Sequence, residues 1–335
     1  MCSRPFCNNL HIRLCLLAIL FIAIFRVLWR HSSPATNTLI PGISSIRPLS
    51  PSYISENSHD WPKTIWQTSK APVLDLSPEE RERYETWQRL NPDYRHEIMT
   101  DEKMAQYVRE RFGGTETEET YFEIRDYILL SDLFRYLVLL QDGGAYNDLD
   151  VACEKPIDTW VPQEFRESAG VLLGVEVDNK FGPDGRTYEG GTDLFELVNW
   201  TMMAKPHQPF IQLLVQRVLE NVRDMAERQK TSIRHMEVDT IQEVLQSTGP
   251  AAVTNALFDY ATNITQSTVT YKNFTKMPEP KLIGEVVILP IHAFGARHQV
   301  EWAGFKEDRN QVLVHHYFSG SWYSDHIWAP STEAP

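Results

Sequence analysis

Residues Ser131 to Asp158 read SDLFRYLVLLQDGGAYNDLDVACEKPID, and this stretch joins an apolar helix to an acidic segment through two glycines. The apolar part predicts the end of a long helix from about Glu118 to Gln141. Gly143 and Gly144 are predicted to stop it, because glycine accepts the left-handed conformation of a C-terminal cap. The chain that follows is predicted to be extended, and a helix that passes into a strand in this way is typical of an α/β domain.

The acidic segment contains an Asp-x-Asp pattern. A two-residue strand period places Tyr146, Asp148 and Asp150 on one side and the apolar residues between them on the other. The two carboxylates, with Cα atoms roughly 6.5 Å apart, are then expected to face a cleft. Oxygen ligands at that spacing suit Mg²⁺ or Mn²⁺, which keep open positions for the phosphate oxygens of a nucleotide. A lone Asp-x-Asp also arises by chance in solvated turns, so its neighbours carry the prediction.

Two charged residues lie in the apolar helix before it. Asp132 and Arg135 are three residues apart and therefore share one face of that helix. One interpretation is a structural ion pair, which contributes little where it is exposed. The other is that the pair faces a polar cleft, where it would bind sugar hydroxyls and Arg135 would place positive charge near phosphate.

The rest of the chain from Trp61 on alternates between strands and helices. Composition agrees with a folded domain, since 42% of the 335 residues are hydrophobic. The predicted strands are Lys63–Thr68, Tyr94–Thr100, Val171–Val177, Val286–Pro290 and Val312–Tyr317, and the other predicted helices are Pro78–Leu90 and Phe210–Gln229.

Net charge and cysteine content exclude two classes of protein. A formal charge of -13, without a dense Lys and Arg cluster, argues against a nucleic-acid partner. An acidic protein that handles an anionic nucleotide needs a cation between the two. Cys2, Cys7 and Cys15 precede or enter the first apolar run and only Cys153 follows it, so no disulfide framework is possible in the folded part. Cys2 and Cys7 are either tail thiols or palmitoylation sites.

The N-terminal part predicts membrane attachment. Residues 12–29 are almost entirely apolar, and as a helix they span about 27 Å, enough for a thin bilayer. We expect an uncleaved signal anchor of type II topology after a cytoplasmic tail of residues 1–11; a cleavable signal peptide is the alternative. Residues 30–60 are rich in Ser, Thr and Pro and are predicted to be a disordered stem, followed by a catalytic domain at 61–330. The sequons at Asn199, Asn263 and Asn273 fit a lumenal domain.

A series of motifs resembles a known family. The pattern D-x-x-R-Y-x-x-L-x-x-x-G-G-x-Y-x-D-x-D at Asp132 to Asp150 is similar to glycosyltransferase family 32 and to the glucosyltransferase domains of large clostridial toxins. Within the family, the chain resembles the fungal initiation-specific α-1,6-mannosyltransferases of the N-glycan outer chain. The resemblance runs from Lys63 to Trp322. It includes KTIWQT, NPDYRHEIMTDE, NWTMMAKPHQPF, STGPAAVT and HHYFSGSW in that order.

The resemblance implies a Rossmann-like GT-A fold, a GDP-mannose donor, Mn²⁺ or Mg²⁺, and retention of the anomeric configuration. Asp150 is expected to bind the metal directly, and Asp148 to contact the ribose and the metal. Asp132 and Arg135 are expected to hold the donor sugar, with Tyr146 beside it.

Five further residues complete the expected site. His316 is the expected late metal ligand, with His315 as the alternative, because neighbouring residues of a strand point to opposite faces. Trp66 is expected to stack on the nucleotide base, although a tryptophan in a central strand also suits the core. Asn199 and Trp322 are expected near the donor, and Trp322 carries the same alternative as Trp66.

The chain departs from the family at one loop. Where the family commonly has P-G-H-P, this chain has Pro206-His207-Gln208-Pro209 and so lacks a glycine. The missing glycine bears on the expected role of this loop, which includes the choice of acceptor. It bears less on the expected metal site.

The sequence therefore predicts a Golgi mannosyltransferase that acts on the N-glycans of glycoproteins, alone or with other mannosyltransferase subunits. Three alternatives stay open at this point. They are a sphingolipid mannosyltransferase acting on inositolphosphoceramide, a non-catalytic subunit of a mannosyltransferase complex, and a glycosidase with paired carboxylates.

Overall fold

The computed structural model describes residues 60–179, 194–306 and 308–320. The predicted tail, anchor and stem up to residue 59 lie outside this part of the chain, as does Trp322. Among the residues that the model describes, no helix has both the length and the apolar character needed to cross a bilayer.

The described residues form a mixed α/β fold around a central sheet, as predicted. Its helices are α1 Pro78–Leu90, α2 Asp101–Phe112, α3 Glu116–Glu123, α4 Tyr127–Gln141, α5 Pro209–Arg228, α6 Ile241–Ser247, α7 Pro250–Thr265, α8 Ile291–Phe294 and α9 Arg297–Trp302. Its strands are β1 Thr64–Thr68, β2 Arg95–Met99, β3 Gly144–Asn147, β4 Val151–Cys153, β5 Val171–Asn179, β6 Leu194–Leu197, β7 Thr201–Ala204, β8 Lys281–Ile283, β9 Val286–Leu289 and β10 Val314–His316.

The strand order of the main sheet is β2-β1-β3-β7-β5-β9-β8, with β6 paired to β5. Strands β2, β1 and β3 run parallel, so their carboxyl ends meet at one edge of the sheet. In sheets of this kind, ligands bind in the crevice beyond those ends. Among the described residues, β4 and β10 form a second, two-stranded sheet, in which they pair antiparallel with His316 opposite Val151.

Helix α4 brings the charged residues of the opening stretch to this edge. It packs against α5 and contacts β3 and β7. Most of its residues are buried, including the polar Ser131, Asp132 and Arg135. The predicted glycine stop is confirmed, because Gly143 and Gly144 have φ values of 66° and 106°. A Cβ on Gly144 would lie 2.5 Å from the carbonyl oxygen of Thr64, so this position also requires glycine for space.

Local capping explains where one prediction succeeded and another failed. The predicted helix Pro78–Leu90 has the same bounds as α1, because Ser77 and Glu80 form a capping box around Pro78. The predicted single helix from Glu118 to Gln141 is wrong, since the chain forms α3 and α4 instead. Asp126 begins the second of them by accepting a hydrogen bond from the Ile128 N–H.

The prediction that Asp148 and Asp150 lie in one continuous strand is also wrong. Strand β3 ends at Asn147, Leu149 and Asp150 form a turn, and β4 begins at Val151 in the other sheet. The Val151 N–H donates to the carbonyl oxygen of Asp148 and closes this turn. The two carboxylates are therefore positioned by a turn between two sheets, and the alternation of a strand does not apply to them.

Candidate active site

The site is built around a buried ion pair. Arg135 Nη2 lies 2.8 Å from Asp132 Oδ1, and the two side chains are only 3% and 2% exposed. Arg135 Nη2 is also 3.3 Å from Asp148 Oδ1, and its Nη1 donates to the carbonyl oxygen of Asn199 at 2.9 Å. Burial lowers the pKa of Arg135, but Asp132 and Asp148 outweigh it, so the pKa is raised and the guanidinium stays charged. A fixed positive charge thus lies beside the Asp-x-Asp turn.

Protein donors surround the carboxylate of Asp132. Its Oδ2 accepts a hydrogen bond of 2.7 Å from the Thr248 hydroxyl, and its Oδ1 accepts one of 3.1 Å from the Asn199 side-chain amide. Burial raises the pKa of Asp132, although Arg135 and these two donors act in the opposite direction. In this structure Asp132 therefore orients Arg135 and Asn199; its contact with a donor sugar stays a prediction.

Asp148 is held by a chain of hydroxyl groups. The Tyr146 hydroxyl donates to Asp148 Oδ1 at 2.9 Å and lies 3.0 Å from the Thr68 hydroxyl, which is 3.1 Å from that of Ser131. Burial raises the pKa of Asp148 to about 6, while Arg135 lowers it and Asp150 raises it. The side chain keeps 29% of its surface exposed, so a ligand can reach it.

Asp150 is paired with the late histidine. His316 Nε2 lies 3.3 Å from Asp150 Oδ1, and the Ser319 N–H donates to Oδ2 at 2.9 Å. Burial raises the pKa of Asp150, but the hydrogen bonds from His316 and Ser319 outweigh it and the pKa is lowered. His315 is exposed on the other face of β10, where its ring lies 4.6 Å from that of Tyr317. Of the two candidates, the structure brings His316 to the site.

The available donors fit a divalent cation that shares its coordination with a substrate. No cluster of three or more His, Cys, Asp or Glu side chains is close enough to hold a metal within the described ranges. Asp150 and His316 supply an anionic oxygen and an imidazole, and Nδ1 of His316 is buried without a hydrogen-bond partner. Mg²⁺ and similar ions commonly bind through one or two carboxylates and complete their shell with water and phosphate oxygens. The mutual repulsion of Asp148 and Asp150 also favours a cation between them.

Trp66 is placed in the core, against its expected contact with a nucleotide base. The side chain is 4% exposed, its Nε1 donates to the carbonyl oxygen of Gly143 at 2.8 Å, and its ring packs edge-on against Tyr107. Strand β1 lies between β2 and β3, which explains this burial. Asn199 does lie at the site, but it is buried and bonded to Asp132. Trp322 lies outside the described residues.

The sequence did not point to Glu176. This buried carboxylate lies at the register shift between Val175 and Val177 in β5, and bulges of this kind often redirect a side chain beside an active site. Burial raises the pKa of Glu176, while the charge of His316 lowers it and that of Asp148 raises it, so its protonation is coupled to the charges of the site. The available signal was the pair of acidic residues, Glu176 and Asp178, in the otherwise largely apolar strand VLLGVEVDN.

Part of the site lies in a segment that matches a known protein family. Residues 77–166 match the model of a glycosyltransferase sugar-binding region containing a DXD motif, which confirms the resemblance. The initiation-specific alpha-1,6-mannosyltransferase of Schizosaccharomyces pombe is 34% identical over 274 residues, covering 79% of this chain and 65% of that protein. The protein of the same name from Candida albicans is 28% identical over 309 residues, covering 85% of this chain and 78% of that protein.

A relative with a lipid-related name matches over a shorter stretch. The mannosyl phosphorylinositol ceramide synthase SUR1 of Saccharomyces cerevisiae is 34% identical over 98 residues, which is 29% of this chain and 24% of that protein. The chain thus spans just under two thirds of the length of the S. pombe relative and about a quarter of the ceramide synthase.

Proposed function

We propose that this chain, a member of the glycosyltransferases whose sugar-binding region contains a DXD motif, transfers mannose from GDP-mannose to the N-glycans of glycoproteins, forming an α-1,6 linkage. The observation that carries the proposal is the juxtaposition of the buried Asp132–Arg135 pair with the accessible carboxylates of Asp148 and Asp150. The names of the S. pombe and C. albicans relatives support the sugar and the linkage.

Each residue of the site has a chemical task in this proposal. Asp150 and His316, with Asp148 in direct contact or through water, would hold Mn²⁺ or Mg²⁺, which as a Lewis acid stabilises the charge of the departing diphosphate. Arg135 adds a fixed positive charge beside the same group, and a preorganised charge of this kind stabilises a transition state without reorganisation. Asp132 keeps Arg135 in place, because Thr248 and Asn199 fix the carboxylate from two sides.

The proposed reaction retains the configuration of the sugar. The acceptor hydroxyl attacks the anomeric carbon on the face that the diphosphate leaves, and the bond to the diphosphate oxygen breaks. The hydroxyl proton passes to the departing diphosphate. Because the oxocarbenium-like state is exposed to water, the cleft has to be shielded while it forms. We place this chemistry in a GT-A fold, for which the parallel strands β2, β1 and β3 and the Asp-x-Asp turn beyond them are the support.

The proposed setting is the Golgi lumen. The apolar residues 12–29 would serve as a type II signal anchor, residues 30–60 as the stem, and residues 61–330 as the catalytic domain. Other mannosyltransferase subunits are proposed partners. Sequencing the N-terminus of the mature protein tests the anchor, because a start beyond residue 30 would mean that the apolar segment is cleaved.

The proposal favours glycoprotein over sphingolipid acceptors, because the relatives with α-1,6-mannosyltransferase names match most of this chain and the ceramide synthase matches 29% of it. A hydrolase with paired carboxylates needs no nucleotide, so the binding of GDP separates the transferase from it.

The test offers the purified full-length chain a panel of nucleotide sugars with Mn²⁺ and follows which donor is consumed. We expect turnover of GDP-mannose, its loss in EDTA, and its loss in Asp150→Ala, with a smaller loss in His316→Ala. Asp259→Ala, which removes a carboxylate that is 58% exposed on the surface, is the control and should leave turnover unchanged. Full turnover of Asp150→Ala, or of the native chain in EDTA, would contradict the assignment.

A further inference from the structure

A cavity lies next to the site, between the beginning of α2, the end of α3 and the beginning of α4. Its volume is about 180 Å³, and its lining is largely apolar and aromatic, with Met104 and Ala105 from α2, Tyr121 and Phe122 from α3, and Tyr127 from α4. Since one water needs only about 10–15 Å³ of such space, the cavity has room for a heteroaromatic base.

The cavity lies at the same edge of the sheet as the Asp-x-Asp turn. Asp101 lines the cavity and follows the carboxyl end of β2, whereas Asp148 follows the carboxyl end of β3. Strand β1 separates these two strands, so their ends are two strand spacings, or about 10 Å, apart. Tyr127, at the cavity wall, lies one helical turn before Ser131, whose hydroxyl contacts Thr68 at the end of β1. A nucleoside diphosphate is long enough to bridge this span from its phosphates to its base.

We propose that this cavity binds the base of the nucleotide donor, and that the carboxylate of Asp101 selects guanine. The inference rests on the proposed function, because it takes the diphosphate to bind at Asp148 and Asp150. The aromatic side chains of Tyr121, Phe122 and Tyr127 provide the apolar and π surface on which a base packs.

The chemistry of Asp101 matches guanine in particular. An ionised carboxylate only accepts hydrogen bonds, and guanine presents two adjacent N–H donors, from N1 and the 2-amino group. Adenine presents an amino group beside a lone pair, and uracil presents one N–H between two carbonyl oxygens, so both place acceptors against the carboxylate. The Tyr127 hydroxyl interacts with Asp101 and holds it at the cavity wall.

A purely structural role for Asp101 is separable from this one. Asp101 and Glu102 both lie in the first turn of α2, where acidic side chains interact favourably with the helix dipole. Glu102 does not line the cavity. Glu102→Ala is therefore the matched control for Asp101→Ala, because both remove one exposed carboxylate from the same turn.

The experiment measures, by titration calorimetry with Mn²⁺, the affinity of the full-length chain in detergent for GDP, IDP and inorganic pyrophosphate. IDP lacks only the 2-amino group, and pyrophosphate lacks the base. We expect the native chain and Glu102→Ala to prefer GDP over IDP roughly 10- to 100-fold, the value of one hydrogen bond to a charged group. In Asp101→Ala the two affinities should become equal. Ala105→Phe, which fills the cavity, should weaken the binding of GDP but leave the affinity for pyrophosphate unchanged.

Three results would overturn the inference. The first is an Asp101→Ala variant that still prefers GDP over IDP as strongly as the native chain. The second is a native chain that binds GDP no more tightly than pyrophosphate, which leaves the proposed function standing. The third is failure of both GDP and pyrophosphate to bind, which overturns the proposed function as well.

Discussion

Replacing Arg135 by methionine removes the central charge of the site while keeping most of the side-chain length. The variant leaves the Asp132 carboxylate in a position that is 2% exposed, without the guanidinium 2.8 Å away. It also removes the donor to the carbonyl oxygen of Asn199 and the cation beside Asp148. Both stability and catalysis should suffer, and the effect on stability can be worked out from these contacts.

Breaking a buried ion pair by removing one partner costs about 3–5 kcal/mol, because a buried charge loses its compensation. Asp132→Asn should cost less, about 2 kcal/mol, since Arg135 keeps its contacts with Asp148 and Asn199. The double variant should lose about 2 kcal/mol less of the free energy of unfolding than the two single variants lose together, because the effects of residues in one network are not additive. With a urea m-value of about 3 kcal/mol/M for a chain of this size, Arg135→Met should lower the urea midpoint by about 1–1.7 M.

Urea unfolding followed by circular dichroism measures these values on the native chain, the two single variants and the double variant. Arg217→Met is the control, because Arg217 pairs with Glu220 and Asp259 at the surface, where it is 37% exposed. Its cost should stay below about 1 kcal/mol. If Arg135→Met lowers the free energy of unfolding by less than about 1 kcal/mol, or if the effects of the two single variants are additive, then a buried, coupled pair does not organise the site.

Burial raises the pKa of Asp148 to about 6 in the free protein, so this carboxyl is about half protonated at pH 6. Mn²⁺ binding should therefore release about half a proton from Asp148 at pH 6 and almost none at pH 8. Calorimetry that finds equal proton release at both pH values would contradict this prediction. His207→Gly should raise the free energy of unfolding by up to about 1 kcal/mol, because the exposed His207 has φ 58°; an unchanged urea midpoint would refute this. Glycopeptide mapping should find no glycan on Asn199, because its side-chain amide is buried and donates a hydrogen bond to Asp132. Any glycans should be on Asn263 and Asn273, which are exposed. A glycan on Asn199 would overturn its placement in the site.

The sequence predicted those features that depend on neighbouring residues. The capping box at Ser77 set the start of α1, and the paired glycines after α4 set its end. The loop at His207 shows the same dependence. The expected loss of a glycine there is matched by a non-glycine residue with positive φ, so the loop keeps a left-handed conformation at that position.

Features that depend on distant partners could not be predicted in this way. Asp150 lies in a turn because β4 pairs with β10, which begins at Val314, and no local pattern reveals that pairing. Burial of Trp66 follows from the position of β1 between two strands of the sheet. The Asp132–Arg135 pair was expected from spacing, but the Thr248 hydroxyl that fixes Asp132 comes from 116 residues further along the chain.

Under the proposed function, the network of Asp132, Arg135, Asp148 and Asp150 supports transfer of mannose with retention of configuration. NMR of the product formed from GDP-α-mannose on a defined oligomannose acceptor determines anomer and linkage in one measurement. We predict one added α-mannose, attached through a 6-hydroxyl group. A β-linked mannose, or no product from GDP-mannose under conditions where a UDP-sugar reacts, would contradict the proposed function.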